Sequence, residues 1–390
     1  MTASIVFFPV DNGDMTLITL ADGRTILVDV NIRQDADNPQ STTYDVASDL
    51  RSRLKRDSND RPYVDVFLLS HPDKDHCTGL NKHFYLDSLD NYCDDEKKDT
   101  EKRIVIRELW SSPMVFRRAS KTHVLCDDAG AFNTEARRRV KINKDKHFYN
   151  IPVGDQILIM GEDENGKTDD LNPILIKAGT KFMINNQRYD HYLECLLIAP
   201  MPKQSEELEC ILSKNHSSVI INFSISSNNN LDKCRFLSGG DAEVEIWELI
   251  WQRYNHCPDL LAYNILQTPH HCSWRTLSHD SWSGKGENAK ESEDAFNALS
   301  QARKGAAIVA SSKLIQDEDS DPPCIRAKRT YTRIVNQFHV SGKFYCTGEY
   351  PNSTKVKSLV FEIDDYGVRV INTAAIGAAA IAASSNLRAG

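Results

Sequence analysis

Ser70-His71-Pro72-Asp73-Lys74-Asp75-His76-Cys77-Thr78-Gly79 decides how this 390-residue chain is read. Between His71 and His76 it sets two imidazoles and two carboxylates, directly behind the apolar run Val64-Asp65-Val66-Phe67-Leu68-Leu69. A short run rich in Val, Leu and Phe predicts a buried strand, and Pro72 stops that strand from continuing. The polar groups therefore fall on a loop at a strand's end, where open α/β sheets place their ligands. Imidazoles and carboxylates clustered this tightly are costly to hold together unless a cation compensates them. The stretch predicts a divalent-metal site; the competing reading is a solvated loop that happens to be rich in His and Asp.

Two further strands end in the same kinds of residue. Cys234-Arg235-Phe236-Leu237 runs into Ser238-Gly239-Gly240-Asp241, and Tyr263 to Gln267 runs into Thr268-Pro269-His270-His271-Cys272-Ser273. A Gly-Gly-Asp ending lets the backbone approach closely and presents one carboxylate at the strand's tip. Asn215-His216-Ser217-Ser218 leads into a strand from Val219 to Phe223. Near the start, Ile5 to Phe8 is a strand and Pro9 to Asp14 a turn. Met15–Leu20 and Thr25–Val30 then pair as a hairpin across Ala21-Asp22-Gly23. Asp29, near the end of that buried strand, either supports the metal loop or caps the next one. Helices are expected over 43–54, 242–254 and 326–338, with a buried strand at Ala306–Ala310. Lys343–Thr347 and Val356–Ile363 are expected to close the sheet.

The composition is that of an ordinary globular protein, with a net charge of -8 that argues against a generally basic nucleic-acid binder. Ten cysteines without CxxC pairs suggest free thiols in a reducing compartment. No basic leader or apolar span of membrane length is present, so the expectation is a cytoplasmic protein that does not engage a membrane. Residues 81–150 are densely charged, with Arg103, Arg107, Arg117, Arg118, Lys121, Arg137-Arg138-Arg139, Lys141, Lys144 and Lys146. They are either a solvated helical face or a phosphate-facing rim over the site. Ile104-Val105-Ile106 with Leu109-Trp110 reads as a core strand inside them. The expected organisation is one domain over 1–370 with a charged insertion at about 81–150, then an Ala-rich tail over 371–390.

The order of these motifs resembles the metallo-β-lactamase superfamily, and within it the hydrolase domain of ComEC-type DNA-uptake proteins. The matching segments are Asp11 to Asp14, His71 to His76, Asn215 to Ser218, Gly240-Asp241 and His270 to Ser273. The resemblance implies an α/β fold, the metallo-β-lactamase-like αββα four-layer sandwich. It also implies two divalent metal ions, Zn or Mn with Mg as a third option. By the same resemblance His71 and Asp73 would hold one ion, while Asp75, His76 and a late histidine would hold the other. Asp241 would bridge them. The late ligand is His270 or His271, with His270 favoured because it comes first after the strand. Asp73 stands where the family has a histidine, which moves the preference from Zn toward Mn or Mg. Asn215 replaces another histidine, with His216 beside it as a substitute.

The function expected is a metal-dependent hydrolase, a phosphodiesterase or nuclease acting on nucleic acid or nucleotides through a metal-activated water. Asp75 is the candidate to receive the water's proton. His216, whichever of His270 and His271 is not a ligand, or His279 is the candidate acid for the leaving group, and Asp75, His216 and His271 are taken as the catalytic candidates. The alternatives are an ester, lactone or thioester hydrolase on the same metals, or a catalytically degenerate metal-binding partner protein.

Overall fold

The computed structural model describes residues 2–37, 40–119, 123–202 and 204–371. Lys121 and, past Ile371, the expected Ala-rich tail lie outside the described residues. The first sheet opens with β1 (Ala3–Phe7), β2 (Thr16–Thr19) and β3 (Thr25–Val28) as an antiparallel meander. Next to β3, β4 (Pro62–Leu68), β5 (Ile104–Ser111) and β6 (Gln156–Met160) run parallel to it. Every residue of β4 is buried. The second sheet orders β7 (Leu193–Ala199), β8 (Ile220–Ser227), β9 (Asn230–Ser238), β10 (Tyr263–Gln267), β11 (Ala302–Ala310) and β12 (Lys343–Cys346) side by side. Its first three strands are antiparallel and the rest parallel. The chain then returns to the first sheet, where β13 (Leu359–Asp364) flanks β1 and β14 (Gly367–Ile371) flanks β13. The two closing segments expected from sequence thus belong to different sheets, β12 to the second and β13 to the first.

Side chains on a strand alternate between its two faces, and the second sheet uses both. Val219, Ile221, Phe223 and Ile225 pack toward the first sheet, while Ile220 faces the other way. Phe236 joins this inner layer, its ring 5.6 Å from both Phe7 and Phe223. Phe236→Ala would empty the centre of that layer, at a cost of about 3–5 kcal/mol. Outside, α1 (Val46–Arg53) and α2 (Asp127–Asp145) share the first sheet's core. The Phe132 ring of α2 lies 5.9 Å from that of Phe67 on β4. On the far side, α3 (Val244–Tyr254) and α4 (Ile325–Val335) cover the second sheet. The layers run helix, sheet, sheet, helix: the αββα sandwich.

The arginines of 81–150 are held inside this frame. Arg118 and Arg139 are fully buried. Arg118 reaches Glu209 at 2.5 Å and Ser217 Oγ at 3.1 Å, and Arg139 reaches Glu135 at 2.6 Å and the Ile106 carbonyl at 3.0 Å. Arg117 pairs with Asp163, Arg138 with Asp155 and Arg103 with Asp94, each at 2.6 Å. Arg138 and Arg139 tie α2 to Asp155 and to sheet carbonyls, while Arg117 and Arg118 tie the helix Pro113–Ala119 to Asp163 and Glu209, since a buried charge requires a partner. Neither a wholly solvated face nor a phosphate rim describes them, although Arg137, Lys141 and Lys144 do remain exposed on α2.

Candidate metal centre

Four strands deliver the site at their C-terminal ends. β4 leads to Ser70 and His71, β9 to Gly240 and Asp241, β10 to His270 and His271, and β11 to Ser311. Backbone bonds knit these endings: Val219 N–H to the Ser70 carbonyl at 3.0 Å, His270 N–H to the Gly240 carbonyl at 2.9 Å. The β1–β2 turn joins them through Asp14 N–H, 3.2 Å from the Asp75 carbonyl. Gly13 makes that approach feasible, since its φ is +152° and a Cβ there would stand 2.7 Å from the same carbonyl oxygen. The turn is also fastened to the far end of the chain. Ser311 Oγ donates to the Gly13 carbonyl at 2.7 Å, and Asn12 Nδ2 to the Pro322 carbonyl at 3.0 Å.

Asp241 stands at the centre, 2 % exposed. Its Oδ1 lies 3.1 Å from His76 Nε2 and 3.5 Å from His271 Nε2; its Oδ2 lies 3.4 Å from His71 Nε2. One carboxylate thus faces two sets of potential ligands. Asp14, His76, Asp241 and His271 form a wholly buried set, and His71, Asp73 and Asp241 form the other.

The ring hydrogens can be placed from the partners. His76 Nδ1 meets Asp29 Oδ2 at 2.8 Å, and His271 Nδ1 meets the Ser311 carbonyl at 3.1 Å. With Nδ1 donating its hydrogen to that oxygen, a cation that displaces the second proton would meet each Nε2 lone pair directed inward. The two Nε2 atoms are 3.3 Å apart. Two nitrogens, each about 2.0–2.1 Å from one tetrahedral ion, stand about 3.3 Å from one another. Asp29, the carboxylate whose role the sequence left open, also accepts from Ser70 N–H and Oγ, both at 2.6 Å. It fixes the His76 ring as carboxylates do behind metal-binding histidines.

Charge follows the same plan. Burial penalises the imidazolium of His71, as does His76, yet Asp241 and Asp73 outweigh both and push the ring up to about 9. Burial works equally against His76 and His271, but Asp241 with Asp29, and Asp241 with Asp14, hold them well above the ordinary histidine range. Asp241 is held well below the usual carboxylate range: burial opposes this, and the surrounding imidazoles overcome it. The cluster demands positive charge. Among the described residues, Asp14 Oδ1, His71 Nε2, Asp241 Oδ1 and His270 Nδ1 are buried without a partner in hydrogen-bond geometry. Such orphaned atoms suit cation binding, and the residues fit a dinuclear metal site. The donor set of imidazole nitrogens and carboxylate oxygens leaves the identity of the metal open.

Of the residues expected from sequence, His71, Asp73, His76 and Asp241 come together. Asp75 sits at the mouth, its side chain 39 % exposed and its Oδ2 3.3 Å from His271 Nε2. His271, rather than the favoured His270, joins His76 and Asp14. His270 stands beside them, with Nε2 3.7 Å from Asp241 Oδ2 and Nδ1 3.7 Å from Glu243. Pro269 starts a tight turn in which His270, His271 and Cys272 take φ of 50°, 52° and 69°, and this swings the second ring inward. Asp14 is a member that sequence reasoning did not single out, although the turn carrying it had been matched. Asn215 keeps a buried, unpartnered Oδ1 while its Nδ2 donates to Glu243 at 3.0 Å.

His216 lies in a separate group with Glu243 and Glu245. Its Nδ1 accepts the Ser213 N–H at 3.1 Å, so the ring hydrogen is on Nε2, which donates to Glu245 at 3.0 Å. That arrangement leaves neither nitrogen for a metal. His279 is half exposed and bonds Glu248.

No family model matches the sequence, and no curated protein does. Among solved structures the chain aligns with Igni18, a novel metallo hydrolase from the hyperthermophilic archaeon Ignicoccus hospitalis KIN4/I. That alignment has 11% identity and a TM-score of 0.33, covering 93% of this chain and 100% of the other. A mutant of the CmlA beta-hydroxylase aligns with 9% identity and a TM-score of 0.35, covering 88% of this chain and 52% of the other. At these scores the metal reading rests on the side chains themselves.

Proposed function

We propose that this chain is a metal-dependent hydrolase whose substrate is a phosphodiester, in a nucleotide or in nucleic acid. The observation that carries the reading is Asp241, whose two oxygens face two ligand sets within 3.5 Å. Divalent cations held there would make a shared water acidic enough to attack near neutral pH and would offset charge on the phosphoryl oxygens. Asp14, His76, His271 and Asp241 would hold one ion; His71, Asp73 and Asp241 would hold the second, with Asn215 Oδ1 as a further donor. Three carboxylates beside three imidazoles around the centre suit Mn or Mg as well as Zn. They also suit phosphoryl transfer, in which hard cations and anionic oxygens are matched.

Asp75 is placed to take the attacking water's proton, being a carboxylate at the mouth that His271 holds ionised against burial. His270, outside the wholly buried set and partly exposed, is assigned the leaving-group proton. His216 spends its Nε2–H on Glu245 and so acts by holding that carboxylate. With every arginine of 81–150 except the exposed Arg137 paired with a carboxylate, the metals themselves are the main charge complement of the substrate.

The test is hydrolysis of single-stranded DNA, double-stranded DNA and an aryl phosphodiester with Mn, Mg and Zn, comparing wild type with Asp75→Ala and measuring metal content on both. Metal-dependent cleavage lost in the variant is the expected result. Two bound metals without cleavage of any phosphodiester would turn the assignment toward esters or thioesters, and a chain that binds no metal would remove the catalytic reading.

A further inference from the structure

Cys77 is the last residue of the turn Lys74–Cys77 that carries Asp75 and His76. Its Sγ lies 3.4 Å from Sγ of Cys126, the residue that caps the N-terminus of the 19-residue helix α2. Cys77 is buried, whereas Cys126 is partly open to solvent. The two segments are already held together by Asp128, the second residue of α2. Its carboxylate accepts from Gly79 N–H at 3.0 Å and from Asn81 N–H at 2.8 Å. The sulfurs are therefore kept in van der Waals contact by independent hydrogen bonds, one at the surface and one behind it.

We propose that Cys126 and Cys77 form an oxidisable pair, in which hydrogen peroxide modifies Cys126 and Cys77 resolves the product to a disulfide. A solvent-reachable thiol with a second thiol behind it is the arrangement that redox-sensing pairs share. The Cys77 thiol, and then the Ala129 and Asp128 amides, also pull the Cys126 thiol down to about 6 against the opposing effect of burial.

The chemistry balances with peroxide as the only added reactant. The Cys126 thiolate attacks one peroxide oxygen; an S–O bond forms, the O–O bond breaks, and hydroxide leaves to take up a proton as water. The Cys77 sulfur then attacks the sulfenic sulfur; the S–S bond forms, the S–O bond breaks, and the departing hydroxide leaves as water with the Cys77 proton. Two thiols and one peroxide give one disulfide and two waters. The bond would fasten the loop that carries Asp75 and His76 covalently to α2.

The test treats the full chain with sub-stoichiometric hydrogen peroxide and maps peptides without reduction. The expected result is that a Cys77–Cys126 linked peptide appears before any other of the ten cysteines is oxidised, and that Cys126→Ser abolishes it. In Cys77→Ser, a dimedone adduct should accumulate on Cys126. First oxidation at the exposed Cys93 or Cys210, with Cys77 and Cys126 unlinked at the same dose, would overturn the proposal. Should Cys77→Ser fail to fold, iodoacetamide labelling of the wild type decides. Cys126 should react about tenfold faster than Cys93 and Cys210 at pH 7, and equal rates would overturn it.

Discussion

The two ligand sets that share Asp241 are built differently. Around Oδ1, His76 and His271 are fully buried, each ring is held from behind by an oxygen, and Asp14 closes the set. Around Oδ2, His71 has the neutral Ser70 hydroxyl behind its ring at 3.1 Å, where His76 has a carboxylate. Its partner Asp73 is meanwhile claimed by Lys214 Nζ at 2.5 Å. Burial opposes the ionised form of Asp73, but His71 and Lys214 hold its carboxyl well below the usual range. One set is preorganised to give up all its donors to a cation, while the other must first share a carboxylate with an ammonium group. The difference predicts two unequal sites: a tight ion in the closed set and a weaker, exchangeable one beside it.

Substituting the residue common to both sets should have the largest effect. Asp241→Asn is expected to lose both ions and to lower the proposed phosphodiester hydrolysis on the order of a thousandfold or more; metal analysis and turnover measured on one sample would check this. Retention of two ions would break the bridging assignment. Next comes the contrast between neighbours. His271→Ala should lose the tight ion and about a hundredfold in activity. His270→Ala should keep both ions and lose activity chiefly on substrates with poor leaving groups, which titration calorimetry and a leaving-group series would separate. Asp29→Asn should weaken the tight site alone, by about tenfold to a hundredfold, as read from a chelator competition. The smallest change has the opposite sign. Lys214→Met should free Asp73 and tighten the weaker site by about threefold, the scale of a partly exposed ion pair. An unchanged affinity there would show that the lysine does not compete.

The strand-to-loop endings at His71, Asp241 and His270-His271 are legible in the sequence because buried apolar runs stop abruptly at polar clusters. The layering follows from the same runs together with the helical stretches between them. The choice between His270 and His271 is not legible, since it depends on three successive residues taking positive φ behind Pro269. Nor is the role of Asp14, which reaches the site only because Gly13 permits the turn to touch Asp75. Whether an arginine of 81–150 lies on a solvated face, on a phosphate-facing rim or inside the fold is not legible, since some partners are distant in sequence, as Glu209 is from Arg118. A charge run carries no mark of which members fold inward.

The stitch between the β1–β2 turn and Ser311 has a kinetic consequence. Asp14 and His271 are more than 250 residues apart in the chain, and the Gly13–Ser311 bond beside them spans almost 300, which makes both among the most non-local contacts in the fold. The closed set is therefore expected to be incomplete until after the folding barrier has been crossed. A cation that binds only the finished set would leave the refolding rate unchanged and slow unfolding alone.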